Sequence, residues 1–408
     1  MAAVDVVVLG AGAAGLMAAI RSAESGAGTV LLEKNRKPGV KILASGGGRC
    51  NLTTTREGSE LLGAFPKPQR RWLTPSLRAF PPRRLRAWFE ERGVALQEEA
   101  MEKVFPVAGC ASVVLEALVT ALAASGAELR CRAPVREVAR GDGGFVVTTP
   151  DGEVRARRVV LAVGGKSYPK TGTVGDGYGI ARALGHTISS LRPGLAGLVV
   201  DDPHLRALAG LTIEDAAVHW MVGDRRITTW RRPVLFTHTG LSGPGPMNFA
   251  SVVEESGGGK LAIDLMPDAS FEEVESGLLD RLRAAPRRGV VASLPTTLPE
   301  RLRQALVHRA GVGADVIGAT LTREHRRRLG HLLKGLEVDA KRSTGWDHAE
   351  VTCGGVVRDE VDPKTMASRS CRGLFLCGEI LDVDGPIGGY NFQAAFATGW
   401  VAGGAAAR

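Results

Sequence analysis

The chain has 408 residues, 44% of them hydrophobic and 23% charged, with 53 Gly and 21 Pro. That apolar mass suits two or three domains with their own cores and excludes a disordered chain, and no apolar run approaches the ~18 residues of a membrane span. Lys and Arg outnumber Asp and Glu by 52 to 43, a net +9, but 41 of the 52 are Arg and 11 are Lys, which reads as compositional bias rather than as a nucleic-acid footprint.

No basic segment precedes the first apolar stretch, Val6–Leu9, so a cleaved leader is not expected. Six Cys stand at 50, 110, 131, 353, 371 and 377 without a C-x-x-C pair. This argues against a metal knuckle or a disulfide framework and for a reducing, cytoplasmic setting.

In chain order, Asp5–Leu9 reads as a buried parallel strand. It ends in Gly10-Ala11-Gly12-Ala13-Ala14-Gly15, then a helical pattern runs to Gly26 and a second strand, Thr29–Leu32, closes on Glu33. This β-turn-α-β order is what gives a G-x-G-x-x-G motif meaning. Gly10 permits the turn, Gly12 lets a pyrophosphate approach, and Gly15 lets the helix pack on the strand. The helix N-terminus, at Ala13 and Ala14, offers free N–H groups to phosphate. Glu33 can accept from a ribose 2′-OH and disfavours a 2′-phosphate, so the nucleotide is expected to be FAD or NAD.

A helix over 110–125 follows, then short strands at 128–132, 135–139 (opened by Val135), 145–149 and 153–156. Arg158–Val163 is another buried strand, ending in Gly164-Gly165. In the second half, 219–222, 226–230 and 261–265 read as strands, and 270–334 is mostly helical. The basic stretch Arg323–Lys334 carries leucines at helical spacing and reads as a solvated helix face. Gly373–Cys377 is a last buried strand, ending in Gly378-Glu379. It leads through Asp384, Gly388 and Gly389 to a final helix over 392–402.

This layout resembles the glutathione-reductase-like flavoproteins. The resemblance implies that Gly164-Gly165 returns the chain to the sheet and that Glu379 reaches the ribityl chain of FAD. It also implies that the final helix points its N-terminus at the flavin pyrimidine ring, where reduced flavin carries negative charge.

The segment from Lys34 through Lys41 to Ser45-Gly46-Gly47-Gly48-Arg49-Cys50-Asn51 is more specific. Together with Gly172–His186, Leu235–Pro244, Val351–Val356 and Gly378–Phe392, it resembles the HI0933-like family of bacterial NAD(P)/FAD-dependent oxidoreductases. Val163, where Thr is common, and Val40, between the basic residues, depart from that pattern. The resemblance implies an α/β fold. A discontinuous Rossmann-like FAD domain takes 1–187 and 345–408, a β-barrel-like inserted domain 188–265 and 335–344, and a helical insert 266–334.

It further implies that Ser45–Gly48 approach the flavin ring, with Lys34, Lys41, Asn391 and Phe392 among the FAD-binding residues, and Val135 is counted with them. Asn51 can hydrogen-bond a flavin carbonyl or N5, and Arg49 either holds an anionic group or forms a structural ion pair. Cys50 lies where disulfide reductases keep a redox pair, but it lacks a nearby second Cys. It is either a catalytic thiol or a packed residue. His238, with Thr237, Thr239 and Ser242 to fix its tautomer, is the candidate proton donor, against a structural reading. Asp382 and Asp384 contact ligand or cap a turn.

No second G-x-G-x-x-G unit exists, so any NAD(P)H must bind transiently, over the flavin or in the cleft of the barrel-like domain. The expected function is a FAD-dependent oxidoreductase acting on a small organic molecule, as a monomer or homodimer, with no membrane or metal. A tRNA-modifying flavoprotein and a non-catalytic flavin-binding protein stay as alternatives.

Overall fold

A computed structural model describes residues 3–313 and 315–408. They form two compact units, one of residues 3–193 with 349–408 and the other of residues 194–348.

In the larger unit, β1 (Val4–Leu9), α1 (Ala13–Glu24) and β2 (Thr29–Leu32) form as the sequence pattern requires. Val6, Val7, Val8 and Leu9 have no exposed surface, which is why this strand is a continuous apolar run rather than an alternating one. After α2 (Ser112–Ala124) come β3 (Glu128–Arg130), β4 (Glu137–Gly141), β5 (Gly144–Thr149) and β6 (Gly152–Leu161). The sheet order is β3-β2-β1-β6-β5-β4, and β7 (Leu374–Leu376) also pairs with β6.

The two strands expected over 153–163 are one. Its first half pairs antiparallel with β5, and Val159–Leu161 pair parallel with β7 along the same edge. The other edge pairs parallel with β1. One long strand thus joins a polar meander to the buried parallel sheet.

The closing helix α3 (Tyr390–Ala406) starts two residues before its expected position. It lies directly on α1: a Cβ at Gly399 would come within 2.3 Å of Ala14 O, and one at Gly403 within 2.2 Å of Ala18 O. Two glycines one turn apart let the backbones touch. Trp400 stacks on Phe80 (4.7 Å) and lies under Arg21 and Arg84.

The smaller unit holds an antiparallel eight-stranded sheet, from Thr212–Ile213 at one end to Arg225–Arg231 at the other. Its neighbours Gly259–Asp264 and Leu336–Ser343 are joined through helices Phe271–Ala284, Glu300–Arg309 and Arg323–Lys334. Ser270 and Glu273 cap the first of these reciprocally. In the last, Leu329 and Leu333 are buried while Arg323, Arg327 and Arg328 are exposed, as a solvated helix face requires. Among the described residues no helix is long and apolar enough to cross a membrane, and no group of three or more His, Cys, Asp or Glu could hold a metal.

Candidate functional site

The nucleotide turn is built by close packing around an open edge. Gly10 has φ +95°, and its Cβ would meet Ala162 O at 2.7 Å; a Cβ at Gly15 would meet Gly10 O at 1.8 Å. Gly12, between them, faces open space. The amides of Ala13, Ala14 and Gly15 carry no hydrogen-bond partner among the described residues, and the first α1 bond runs from Leu16 N to Gly12 O. Three free amides beside an open glycine fit a diphosphate. Glu33 is nearly buried, and its carboxylate accepts from Ala11 N (2.8 Å) and Asn35 N (2.7 Å). It holds the turn rigid and keeps lone-pair capacity for a ribose hydroxyl. These residues fit the nucleotide half of FAD.

A second cluster surrounds Glu379, which follows β7. Lys41 Nζ donates to Glu379 Oε2 (2.6 Å) and Ser167 Oγ (2.7 Å). Ser167 Oγ and Thr352 N both donate to Glu379 Oε1, at 2.6 and 2.8 Å. Burial alone would push this carboxyl up, but Lys41, Ser167 and the Thr352 amide outweigh it and hold it below the ordinary carboxylate range. Thr352 Oγ1 accepts from Lys166 N and Ser167 N. Gly165 is required because a Cβ there would meet Thr352 Oγ1 at 2.3 Å. Gly164 and Gly378, both at positive φ, pack against Thr173 and Ala14. Ser167 and Thr352 carried no assigned role in the sequence; the VTCGGV stretch was the signal that could have found Thr352.

The signature loop sits between these clusters in the chain. Gly46, Gly47 and Gly48 all have positive φ, and a Cβ at Gly47 would meet nothing within 4 Å. Asn51 does not point freely outward: with its amide oriented to satisfy both neighbours, it donates to Thr53 O (3.1 Å) and accepts from Gly389 N (2.9 Å). It ties the loop to the start of α3. Gly389 is itself required there, because a Cβ would overlap Thr53 O at 2.2 Å. Gly388 packs on Tyr390, Asn391 brackets Gly385 through N–H and C=O, and Phe392 stacks on Phe396. Asp384 exchanges two hydrogen bonds with Gln69, and burial raises its carboxyl. Arg358 pairs with Asp382. Lys34 pairs with Asp176 at 2.6 Å, and Val135 is partly buried against the core.

Three catalytic candidates look different in three dimensions. Arg49 forms the ion pair with Glu99 and stacks over Phe105 (4.3 Å). Cys50 has no exposed surface and φ +61°, and burial pushes its thiol up to about 12, against a smaller pull from Ser45. A thiol so placed is buried and protonated, the setting of a packed side chain rather than of an accessible thiolate. His238 is an exposed residue of a hairpin in the smaller unit. Thr237 Oγ1 bonds Thr239 Oγ1 and Gly240 N, and Ser242 bonds Met247, so none of them fixes its tautomer.

The model of the HI0933-like protein Rossmann domain matches residues 4–405. A ribosomal RNA dihydrouridine synthase of Escherichia coli K12 is 31% identical over 399 residues, 97% of this chain and 96% of the relative. A 3-dehydro-bile acid delta(4,6)-reductase of Clostridium scindens is 31% identical over 407 residues, 98% of each. Among solved structures, a 3-ketosteroid delta1-dehydrogenase from Sterolibacterium denitrificans superposes with a TM-score of 0.55 at 13% identity, over 100% of each chain. FrdA of the E. coli quinol fumarate reductase gives 0.54 at 16%, over 100% of this chain and 70% of that one. At such identities these two define the fold alone. With nearly its whole length matched by one family model, the chain belongs to the HI0933-like family.

Proposed function

We propose that the protein is a FAD-dependent reductase that saturates a carbon–carbon double bond conjugated to a carbonyl, with NAD(P)H as the transient electron donor. One observation carries this reading: two relatives, each 31% identical over nearly full length, have names that describe different substrates but the same bond change. Dihydrouridine is uridine with the ring double bond of its uracil base saturated, and a delta(4,6)-reductase saturates ring double bonds of a bile acid bearing a 3-oxo group. Substrates that differ this much share the enone-like unit.

FAD, when bound, supplies the two-electron hydride chemistry. The chain supplies the rest. The free amides of Ala13, Ala14 and Gly15 hold the diphosphate, and Glu33 the adenosine ribose. Lys41 keeps Glu379 ionised so that it accepts from the ribityl hydroxyls. The N-terminus of α3, fixed to the signature loop through Asn51, sets a positive dipole end where reduced flavin gathers charge.

A small cyclic enone is the leading substrate class. A base in RNA is the second reading, favoured by the E. coli relative's name. The test is the anaerobic visible spectrum of the purified holoprotein with NADH or NADPH, followed by a 3-oxo-Δ4,6 bile acid or by ribosomal RNA lacking dihydrouridine. Bleaching by the nicotinamide and reoxidation by one substrate is expected. A flavin band that stays oxidised with both nicotinamides overturns the reductase reading.

A further inference from the structure

The smaller unit holds a cavity that the reading above leaves unused. Its volume is about 270 Å³, just below the roughly 300–1,000 Å³ of drug-sized sites. It lies between the short helix Pro203–Arg206, the helix Glu300–Arg309 and the start of the strand Leu336–Ser343. Every residue that lines it belongs to the smaller unit.

The lining divides by exposure. Leu205, Leu302, Leu306 and Leu336 are buried and make an apolar floor. His204, His308 and Arg309 are exposed and make the rim. The imidazole rings of His204 and His308 face each other at 4.7 Å with a tilt of 37°. Neither imidazole has a hydrogen-bond partner among the described residues.

The walls are fixed before any ligand arrives. Arg309 donates to Asp202 (2.6 Å) and to Glu337 O (2.9 Å), and Arg301 donates to Ala207 O. These bonds clamp the two helices together, so little ordering is left for binding to impose. Asp202 also accepts from the amides of His204 and Leu205, which spends its charge inside the clamp. No Asp or Glu lines the cavity. The rim therefore offers two imidazoles and the remaining N–H groups of a guanidinium. Among the described residues no third His, Cys, Asp or Glu joins the imidazoles as a metal site would require.

A rim of donors over an apolar floor selects a ligand with a hydrocarbon body and an acceptor at one end. Beside a guanidinium, an ionised acceptor bonds more strongly than a neutral one. We propose that this cavity is a binding site for a small hydrophobic carboxylic acid. The hydrocarbon body lies on the four leucines, and the carboxylate sits among His204, His308 and Arg309. The site does not depend on the reductase reading.

The test is calorimetric titration of the protein as purified with three molecules of one shape: cyclohexanecarboxylate, cyclohexylmethanol and cyclohexylmethylamine. The acid is expected to bind about tenfold or more tighter than the alcohol, and the amine not at all. The double variant H204Q/H308Q changes only exposed side chains and should retain the fold. It should weaken the acid by about tenfold and leave the alcohol unchanged. Ala305→Phe places a ring in the cavity from the helix that walls it, and should abolish binding of both. Equal affinity for acid and alcohol overturns the proposal, because the floor alone would then be binding. Acid binding that survives Ala305→Phe overturns it too, because the acid would then be bound elsewhere. Absence of acid binding to the wild type overturns it outright.

Discussion

Two glycine clusters flank the second strand of the larger unit, and they are glycine for opposite reasons. In the Gly10–Gly15 turn the two outer glycines are filled by their neighbours: a Cβ would overlap backbone oxygen at 2.7 and 1.8 Å. In the Gly46–Gly48 loop the backbone is left-handed throughout, while Gly47 has open space where a Cβ would go. The first cluster is glycine because the fold leaves no room. The second is glycine because of its backbone conformation, and its open side is available to a ligand. Substitution in the first should therefore cost the fold, and in the second mainly the cofactor.

The largest effect should follow Gly15→Ala. The new methyl meets backbone oxygen, which cannot swing away, so α1 must move off β1. A loss of at least about 3 kcal/mol is expected in urea unfolding of the apoprotein. A loss under about 1 kcal/mol would show that the turn relaxes and that the contrast is false.

Lys41→Met should come next, because it leaves Glu379 desolvated without its cation. Complete burial of such an orphan costs about 3–5 kcal/mol. Side-chain exposures of 24% for Lys41 and 21% for Glu379 bring the expectation to about 2–3 kcal/mol. The pH dependence has a definite sign. The Glu379 carboxyl is held below its ordinary range, so its contribution is present above the unfolded value of about 4.3 and is lost as pH falls through the lower, folded value. Thermal melts of the wild type should fall over that interval. In the variant, burial dominates, and acidification toward pH 4 should instead stabilise it.

Gly47→Ala should cost about 1–2 kcal/mol of stability, from the left-handed backbone alone. Its FAD affinity should fall by more than that strain explains, which a fluorescence titration of apoprotein with FAD measures. An affinity loss no larger than the stability loss would make this loop a second packing cluster and remove the contrast.

What could be read from the sequence follows the same division. The Gly10–Gly15 turn, β1, α1 and β2 are local: 33 consecutive residues contain the strands, the helix and the acid that grips the turn. The ends of β6 were not legible, because its continuity depends on β5 and β7 sharing one edge, and β7 lies more than two hundred residues away. The tie of Asn51 to the start of α3 was not legible, because one of its partners, Gly389 N, is 338 residues distant. The Lys41–Glu379 pair has the same separation.

The smallest effect should be that of Cys50→Ala, and it separates the signature's conformation from its chemistry. Cys50 is the residue of SGGGRCN with a nucleophilic side chain, and its place in the chain invites a redox role. Yet it has no exposed surface, and its thiol is pushed up to about 12. Less than about one molecule in 10⁴ carries the thiolate at neutral pH, which leaves nothing to attack a substrate or exchange a disulfide. What the side chain contributes is filled volume, so its removal should cost about 1 kcal/mol in urea unfolding. The rates of bleaching by nicotinamide and of reoxidation by substrate should stay within about twofold of the wild type. A hundredfold loss of either rate, with the FAD spectrum and affinity intact, would return Cys50 to the chemistry. It would also mean that the loop opens during turnover, since a buried thiol has no other way to reach a substrate.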